Sequence, residues 1–203
     1  DHTEQLSVGL TTRYLDEVSG NDHLRGSLVQ TFYLHDIERD RSDYVAELRL
    51  KLPAGFSAEA DYRWDPEQSG NSYLRTLARW QGRSDQVINI GLRRRDVNGD
   101  YELNQAEMSF ALPVSASTRV FGGWLEDLEQ DRTQERFFGI EQGGCCHVLR
   151  LITREELNRG SVGDETRLER EFMLELELRG LAGIGDKIRP FLQAEIDGYN
   201  PGP

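Results

Sequence analysis

Hydrophobic and polar residues alternate with a period of two along most of the chain. In the clearest segments, Tyr44–Lys51 and Phe56–Trp64, apolar residues occupy every second position and mostly charged or polar residues lie between them. A strand places alternate side chains on opposite faces, whereas a helix would scatter these charges around its circumference. Eleven segments show the pattern, at 5–14, 24–34, 44–51, 56–64, 72–81, 86–94, 102–112, 116–126, 133–141, 145–154 and 167–179. More than half of the chain would then be strand, which predicts an all-β barrel or sandwich.

The links between these segments alternate in length after the third strand. Short links such as 53–55 alternate with longer polar links such as 65–70, and the longest link, at 155–165, precedes the last strand. Sequential hairpins of this kind form an antiparallel up-and-down meander, and in outer-membrane barrels the tight turns face the periplasm. Most segments have the length of about 9–11 residues that a tilted membrane-spanning strand needs. The pattern therefore favours a transmembrane β-barrel.

The polar faces of the predicted strands are rich in charge, which suits a wet barrel lumen better than an apolar, ligand-filled interior. The predicted lumen-facing residues are Glu47, Arg49, Glu59, Asp61, Arg63, Arg75, Arg79 and Glu107. A soluble antiparallel sheet is the alternative, and the low mean hydropathy of −0.63 favours it somewhat. Bacterial barrels have an even number of strands and both ends in the periplasm. Eleven strands therefore predict the C-terminal part of a larger barrel.

Composition and charge argue against several other classes of protein. The 203 residues include 24 Lys and Arg against 36 Asp and Glu, a formal net charge of −12, whereas binding nucleic acid through its phosphates requires clustered cations. No segment approaches the roughly 18 apolar residues of a membrane-spanning helix. The chain begins at Asp1 without an apolar leader, so we expect a processed protein or a piece of one. The four His residues form no recognisable catalytic or zinc pattern, and we predict no enzymatic activity, cofactor or metal.

One segment has the spacing of a calcium-binding loop, with Asp96, Asn98, Asp100 and Glu102 at alternate positions. The sixth position of such a loop is a glycine that makes the tight turn, but here it is Tyr101. A hairpin turn, extracellular in a barrel, is therefore favoured over a calcium site.

The two cysteines, Cys145 and Cys146, are adjacent in the sequence. Vicinal cysteines rarely bond to each other, because a strand directs their side chains to opposite sides. They are then either unbonded thiols or partners of cysteines in a segment or subunit outside this chain, and the second interpretation is favoured. A metal site lacks a second pair of ligands, although His147 is adjacent.

Several segments match the motifs of one known family in their order along the chain. Residues 139–151 are similar to the motif GxEYxSCCWxLRL, and residues 172–185 to the final-strand motif FxLxLELKGLGGxG. Residues 4–13 and 30–33 are similar to xQLTLGLTSR and GQxYYF. The chain thus resembles the LptD family of LPS-assembly, or organic solvent tolerance, proteins across nearly all of its length. His147 replaces the usual Trp or Tyr, and Gly143-Gly144 the usual Tyr-x-Ser spacing, which affects detail rather than the assignment.

The resemblance implies an outer-membrane barrel of a Gram-negative bacterium that transports lipopolysaccharide. Such a barrel contains the plug lipoprotein LptE, receives lipopolysaccharide from periplasmic bridge proteins and releases it into the outer leaflet through a lateral gate between its first and last strands, next to outer-membrane lipid. Residues 1–180 would be the C-terminal part of the barrel, and residues 181–203 a tail after the last strand. The resemblance also implies disulfide bonds from Cys145 and Cys146 to an N-terminal periplasmic region outside this chain. The gate strand would carry Leu168, Phe172, Leu174, Glu175, Leu176, Glu177 and Leu178.

The charges of this gate strand allow two interpretations. Its leucines and Phe172 would meet lipid, while Glu171, Glu175 and Glu177 would face the lumen. Three like charges at alternate positions repel one another and would weaken closure of the barrel. Alternatively, cations from neighbouring strands or from the plug neutralise them.

Two other function classes remain open at the level of the sequence. Free thiols at the two cysteines would favour an outer-membrane barrel of another kind, such as a porin or an enzyme. Partition into the aqueous phase without detergent would favour a soluble β-sheet binding module.

Overall fold

The computed structural model describes residues 4–17, 22–33, 41–66, 72–83, 85–98, 100–158, 167–178 and 188–200. These residues form strands β1 (Gln5–Leu15), β2 (Asp22–Tyr33), β3 (Tyr44–Lys51), β4 (Phe56–Trp64), β5 (Ser72–Gln81), β6 (Val87–Val97), β7 (Asp100–Pro113), β8 (Thr118–Asp127), β9 (Arg132–Gly143), β10 (His147–Asn158) and β11 (Arg167–Leu178), followed by helix α1 (Ile188–Glu195). The described strands pair in chain order, from β1 to β11, in one up-and-down sheet. The predicted all-β meander is confirmed.

Some of the predicted strand ends are wrong. Strand β6 continues to Val97 and β7 begins at Asp100, so the link expected over 95–100 is a tight turn. Asn98 provides this turn with a φ of 55°, in the left-handed region that asparagine tolerates. The calcium-like segment is therefore a hairpin turn, as predicted, and charged residues such as Arg95 continue the strand.

The prediction of a strand from residue 145 is also wrong. Cys145 and Cys146 lie in a bend, and β10 begins at His147. The expected last residue of the final strand, Arg179, lies outside the described residues.

The chain divides into two compact units. The first contains Asp1–Ala78 and Gly91–Gln105, and the second contains Arg79–Ile90 and Ala106–Pro203. In each unit the antiparallel register preserves the alternation in the sequence, because directly paired residues lie on the same side of a sheet.

In the first unit, the register separates an apolar face from a charged face. The apolar face includes the row Leu10, Leu28, Ala46 and Tyr62 across β1 to β4. The charged face includes the row Arg13, Arg25, Arg49 and Glu59 across the same strands.

The second unit has the same two faces. Its apolar face includes the row Ile140, Leu151 and Leu174 across β9, β10 and β11. Its charged face includes the row Arg119, Glu141, Arg150 and Glu175 across β8 to β11.

The buried core of the second unit lies on its charged face. Apolar side chains between the charges pack against the segment that follows the last strand. The buried residues of this cluster are Val87, Ala111, Phe121, Phe137, Ile152, Ile188, Leu192, Ile196 and Tyr199. The sequence predicted a wet face here, but in this unit part of that face is covered by protein.

Two glycines make room for the aromatic rings of this core. Phe121 on β8 pairs with Gly139 on β9, and Gly123 on β8 pairs with Phe137 on β9. A Cβ atom added at Gly139 would overlap the Phe121 ring and would lie 2.6 Å from the backbone oxygen of Leu151. Each ring therefore lies over a glycine of the paired strand, which keeps it flat against the sheet.

Within the described residues, no helix has the length and hydropathy required to cross a membrane.

Candidate functional site

The apolar faces of both units are exposed. Leu10 in β1 is 73% exposed, and Phe172 and Leu174 in β11 are 71% and 67% exposed. A soluble sheet normally buries its apolar face, and an extended exposed apolar surface marks a site of contact with a partner or a lipid phase. These faces are therefore suited to a non-aqueous neighbour.

The charged face of the first unit brings together most of the predicted lumen-facing residues. The register places Glu47 beside Asp61 and Arg49 beside Glu59, on the side opposite Leu48. Arg49 lies 3.0 Å from Glu47 and 4.0 Å from Glu59, and Arg75 lies 3.9 Å from Asp61. These partly exposed pairs contribute little stability singly, about 0–1 kcal/mol each. Their arrangement creates a polar surface of mixed charge.

Arg63 lines a polar cavity of about 440 Å³ in the first unit. Ser72 donates a hydrogen bond to Asp96 there, over 3.0 Å. The lining residues are Asp43, Arg63, Asp65, Ser72, Tyr73, Arg95, Asp96 and Val97.

Arg79, predicted to face the lumen, pairs with the C-terminal segment. Its guanidinium forms an ion pair with Asp197 and donates a hydrogen bond from Nε to Asn89 over 3.3 Å. Asn89 in turn donates to the Asp197 carbonyl over 2.9 Å and to Ser109 over 3.1 Å. Glu107 is half-buried two residues before Ser109 on β7.

Arg150 is the centre of a buried ionic cluster on the charged face of the second unit. It is 2% exposed, and its guanidinium binds carboxylates from both neighbouring strands. Nε donates to Glu141 on β9 over 2.7 Å, and Nη1 donates to Glu175 and, over 2.8 Å, to Glu177, both on β11. A buried cation with three carboxylates satisfies the requirement that buried charges be paired.

Glu175 also holds the start of helix α1. Its second carboxylate oxygen accepts hydrogen bonds from the backbone N–H groups of Ile188 over 2.9 Å and Arg189 over 3.4 Å. The first N–H groups of a helix lack partners within the helix, and the positive end of the helix dipole favours a carboxylate. Pro190 suits this first turn because it has no N–H to satisfy.

Tyr199 connects the end of the C-terminal segment to the same cluster. A left-handed φ of 83° at Gly198 turns the chain after the helix, and the Tyr199 hydroxyl donates to Glu141 over 2.9 Å. Arg119 lies 3.5 Å from Glu141 and donates to the Asn200 carbonyl over 3.0 Å. Burial, together with the negative charge of Glu141, raises the pKa of the Tyr199 hydroxyl to about 12. The hydroxyl is therefore protonated and available as a donor at neutral pH.

The predicted gate strand is β11. Leu168, Phe172, Leu174 and Leu176 are exposed, whereas Leu178 is half-buried. Glu175 is buried and Glu177 is half-buried on the charged face. Arg150 from the neighbouring strand forms ion pairs with both glutamates, which supports the second of the two interpretations drawn from the sequence.

Cys145 and Cys146 are exposed in the bend between β9 and β10. Their sulfur atoms lie within hydrogen-bond distance of each other, 2.8 Å apart.

The C-terminal contacts of this site were not predicted from the sequence. Ile188, Phe191, Leu192, Ile196 and Tyr199 follow a helical spacing that could have indicated an amphipathic helix. The roles of Asn89 and Asp197 had no recognisable signal, because single polar residues of this kind occur throughout the chain.

Comparison with known families gives a match that covers more than half of the chain. The family model for LptD, LPS transport system D, matches residues 1–118. This chain belongs to the LptD family.

Individual LptD relatives match almost the whole chain. The LPS-assembly protein LptD of Alkalilimnicola ehrlichii is 30% identical over 97% of this chain and 27% of its own length. The LPS-assembly proteins LptD of Hahella chejuensis and Alcanivorax borkumensis are 28% and 27% identical over 97% of this chain, which corresponds to 26% and 27% of their lengths. The chain thus spans about a quarter of the LptD proteins that it matches.

Proposed function

We propose that this chain is the C-terminal part of an outer-membrane barrel that assembles lipopolysaccharide in the outer leaflet of a Gram-negative bacterium. The observation that carries the proposal is a sheet with an exposed apolar face and a charged opposite face, in a chain of the LptD family. A barrel wall has this construction, since one face meets hydrocarbon and the other meets water.

Lipopolysaccharide has a polar sugar part and apolar acyl chains, and the two faces match these two parts. The charged face, including Glu47, Arg49, Glu59, Asp61 and Arg63, would line a wet lumen that accepts the sugars. The apolar face would contact membrane lipid, into which the acyl chains move. Transfer between these environments breaks no covalent bond, so the proposed role is transport and not catalysis.

Strand β11 is the proposed side of the lateral gate. Among the described strands it is one of the two ends of the sheet, with β10 as its neighbour. Its backbone edge would pair with the first strand of the complete barrel, and separation of the two strands would open a path from the lumen to lipid. Phe172, Leu174 and Leu176 would border this path on the lipid side.

The family resemblance extends the proposal to partners outside this chain. Residues 1–180 would form barrel wall around the plug lipoprotein LptE, and periplasmic bridge proteins would deliver lipopolysaccharide. Cys145 and Cys146, exposed in their bend, would form disulfide bonds with an N-terminal periplasmic region of the complete protein.

Photo-crosslinking in cells tests the gate. A photoreactive amino acid replaces Phe172 on β11 or, as a matched control, Val8 on β1, which is also an exposed apolar position of a strand. We expect lipopolysaccharide adducts at position 172 and few at position 8, because β1 lies at the opposite end of the strand order. Equal labelling at both positions would contradict a path along β11, and no labelling at either would contradict the transport role.

A non-reducing gel tests the cysteines. In the full-length protein, Cys145→Ser together with Cys146→Ser should change the mobility relative to the unaltered protein, and reduction should abolish the difference. Identical mobility before and after reduction would exclude disulfide bonds to a distant segment.

A further inference from the structure

Residues 188–200, which we call the C-terminal brace, are anchored to the charged face of the second unit at three places. The first anchor is at β11, where the Glu175 carboxylate binds the N–H groups of Ile188 and Arg189. Arg150 on β10 holds the other oxygen of the same carboxylate. The start of the brace and the last two strands therefore share one buried acid.

The second anchor is the apolar side of α1 together with Ile196, which directly follows the helix. Ile188, Leu192 and Ile196 are fully or almost fully buried among Phe121, Phe137 and Ile152. The Phe191 ring packs edge-on against Phe137, with 5.0 Å between ring centroids. Phe121, Phe137 and Ile152 belong to β8, β9 and β10, so the helix covers three adjacent strands.

The third anchor is the end of the brace. Asp197 pairs with Arg79 on β5, and its carbonyl accepts a hydrogen bond from Asn89 on β6. Tyr199 binds Glu141 on β9, and the Asn200 carbonyl binds Arg119 on β8. Polar contacts at both ends with an apolar centre fix the position and the direction of the segment.

These anchors make the brace a cross-link between strands that are distant in the sheet order. Adjacent strands are held by their backbone ladder, but β11, as an end strand, has this support on one side among the described residues. The brace adds support through Glu175, which lies three residues before the end of β11. The brace therefore connects β11 to β5, β6, β8 and β9 as well as to β10.

We propose that the C-terminal brace is an intramolecular strut that stiffens β11. It would thereby limit how readily β11 separates from the first strand of the complete barrel. The stiffening of β11 is a property of the fold alone. Its consequence for the gate rests on the proposed transport function.

Hydrogen exchange of the full-length protein in detergent tests the strut. Leu192→Asp places a carboxylate in the apolar cluster and should release the brace. Gln193→Asp makes the same change at the neighbouring, exposed position of the same helix and is the matched control. We expect exchange of the β11 amides to rise by about tenfold or more in the Leu192 variant and to stay unchanged in the control.

A milder variant keeps the test decisive if Leu192→Asp prevents assembly. Tyr199→Phe removes one hydroxyl at the far end of the brace, and β11 exchange should rise by a few fold, with about fivefold expected from one hydrogen bond. Assembly of each variant is verified by its heat-modifiable mobility on a gel. Unchanged β11 exchange in every assembled variant would overturn the strut.

Delivery of lipopolysaccharide to the cell surface is measured separately in the same variants. Faster β11 exchange together with altered delivery supports both the strut and its effect on the gate. Faster exchange with normal delivery would retain the strut and contradict its effect on the gate.

Discussion

Arg150 forms ion pairs with three carboxylates on the charged face of the second unit. The sequence places Glu141, Arg150 and Glu175 on polar strand faces, but their meeting depends on the register of three strands. Register depends on the lengths of the connecting turns, and several of these were mispredicted. The sequence therefore predicted the residue types on this face and could not predict which of them pair.

Replacement of Arg150 should be strongly destabilising. Arg150→Met leaves Glu141, Glu175 and Glu177 without their shared cation in a buried setting, which costs about 3–5 kcal/mol. Arg170→Met is the matched control, because Arg170 is an exposed arginine paired with Glu155 and its loss should cost about 1 kcal/mol or less. The measurement is the temperature at which the folded, heat-modifiable gel band is lost. Equal shifts in the two variants would contradict a buried cluster.

Gly139 should tolerate no side chain. Gly139→Ala would push a methyl group into the Phe121 ring and toward the Leu151 backbone, and such overpacking costs about 1–3 kcal/mol. Gly143→Ala on the same strand is the control, since an added Cβ there meets the Ser117 oxygen at an ordinary 3.8 Å. Urea titration of the gel band should show a lower midpoint for the first variant only. Partial recovery in Gly139→Ala with Phe121→Leu would identify the ring as the obstacle.

At the scale of elements, the strands were predicted from the sequence and the helix was missed. Alternation with a period of two persists over whole strands such as Phe56–Trp64, so local pattern alone identified them. Helix α1 is short, and its apolar stripe is buried only because Phe121, Phe137 and Ile152 interrupt the charges of the opposing face. Tertiary packing stabilises this helix, and local propensity alone would not, because isolated short helices are marginal in water.

The contact between the Tyr199 hydroxyl of the brace and Glu141 should weaken at alkaline pH. Tyr199 has an ordinary pKa of 10.0 when exposed and about 12 in the folded protein, so folding favours its protonated form. The resulting stabilisation is complete below pH 10 and is lost as the pH rises from 10 to 12. The difference in tyrosinate absorbance between the unaltered protein and Tyr199→Phe should titrate as one group near pH 12. A difference that titrates near pH 10 would show that Tyr199 is exposed to solvent.

At the scale of the whole molecule, the exposed apolar faces of the two units favour contact with lipid over contact with water. The second unit has an exposed apolar row of Ile140, Leu151 and Leu174. The first unit has a corresponding exposed apolar row that includes Leu10, Leu28 and Tyr62. Water is a poor solvent for such a surface, and lipid is a good one. Composition alone suggested solubility, because it averages over two faces that alternate residue by residue.

An arginine in the middle of the apolar face should impair membrane assembly. Leu151→Arg lies near the centre of β10, and a lipid-facing arginine at the bilayer midplane costs about 2–4 kcal/mol. Glu171→Arg, on the charged side of β11, is the control and should assemble normally. The measurement is the fraction of heat-modifiable protein in the outer-membrane fraction. Equal assembly of both variants would mean that residue 151 does not face lipid.

The pairing of Arg79 with Asp197 also has a consequence for the order of folding. The two residues are 118 positions apart, and between them lie all the strands from β6 to β11. Closing so long a loop costs entropy that is recovered only when the intervening hairpins are already zipped together. The ends of the brace can form their polar contacts only when the strands that carry Arg79, Asn89 and Glu141 are paired in the correct register. We therefore expect the C-terminal segment to dock late in folding, after the strands from β6 to β11 have paired.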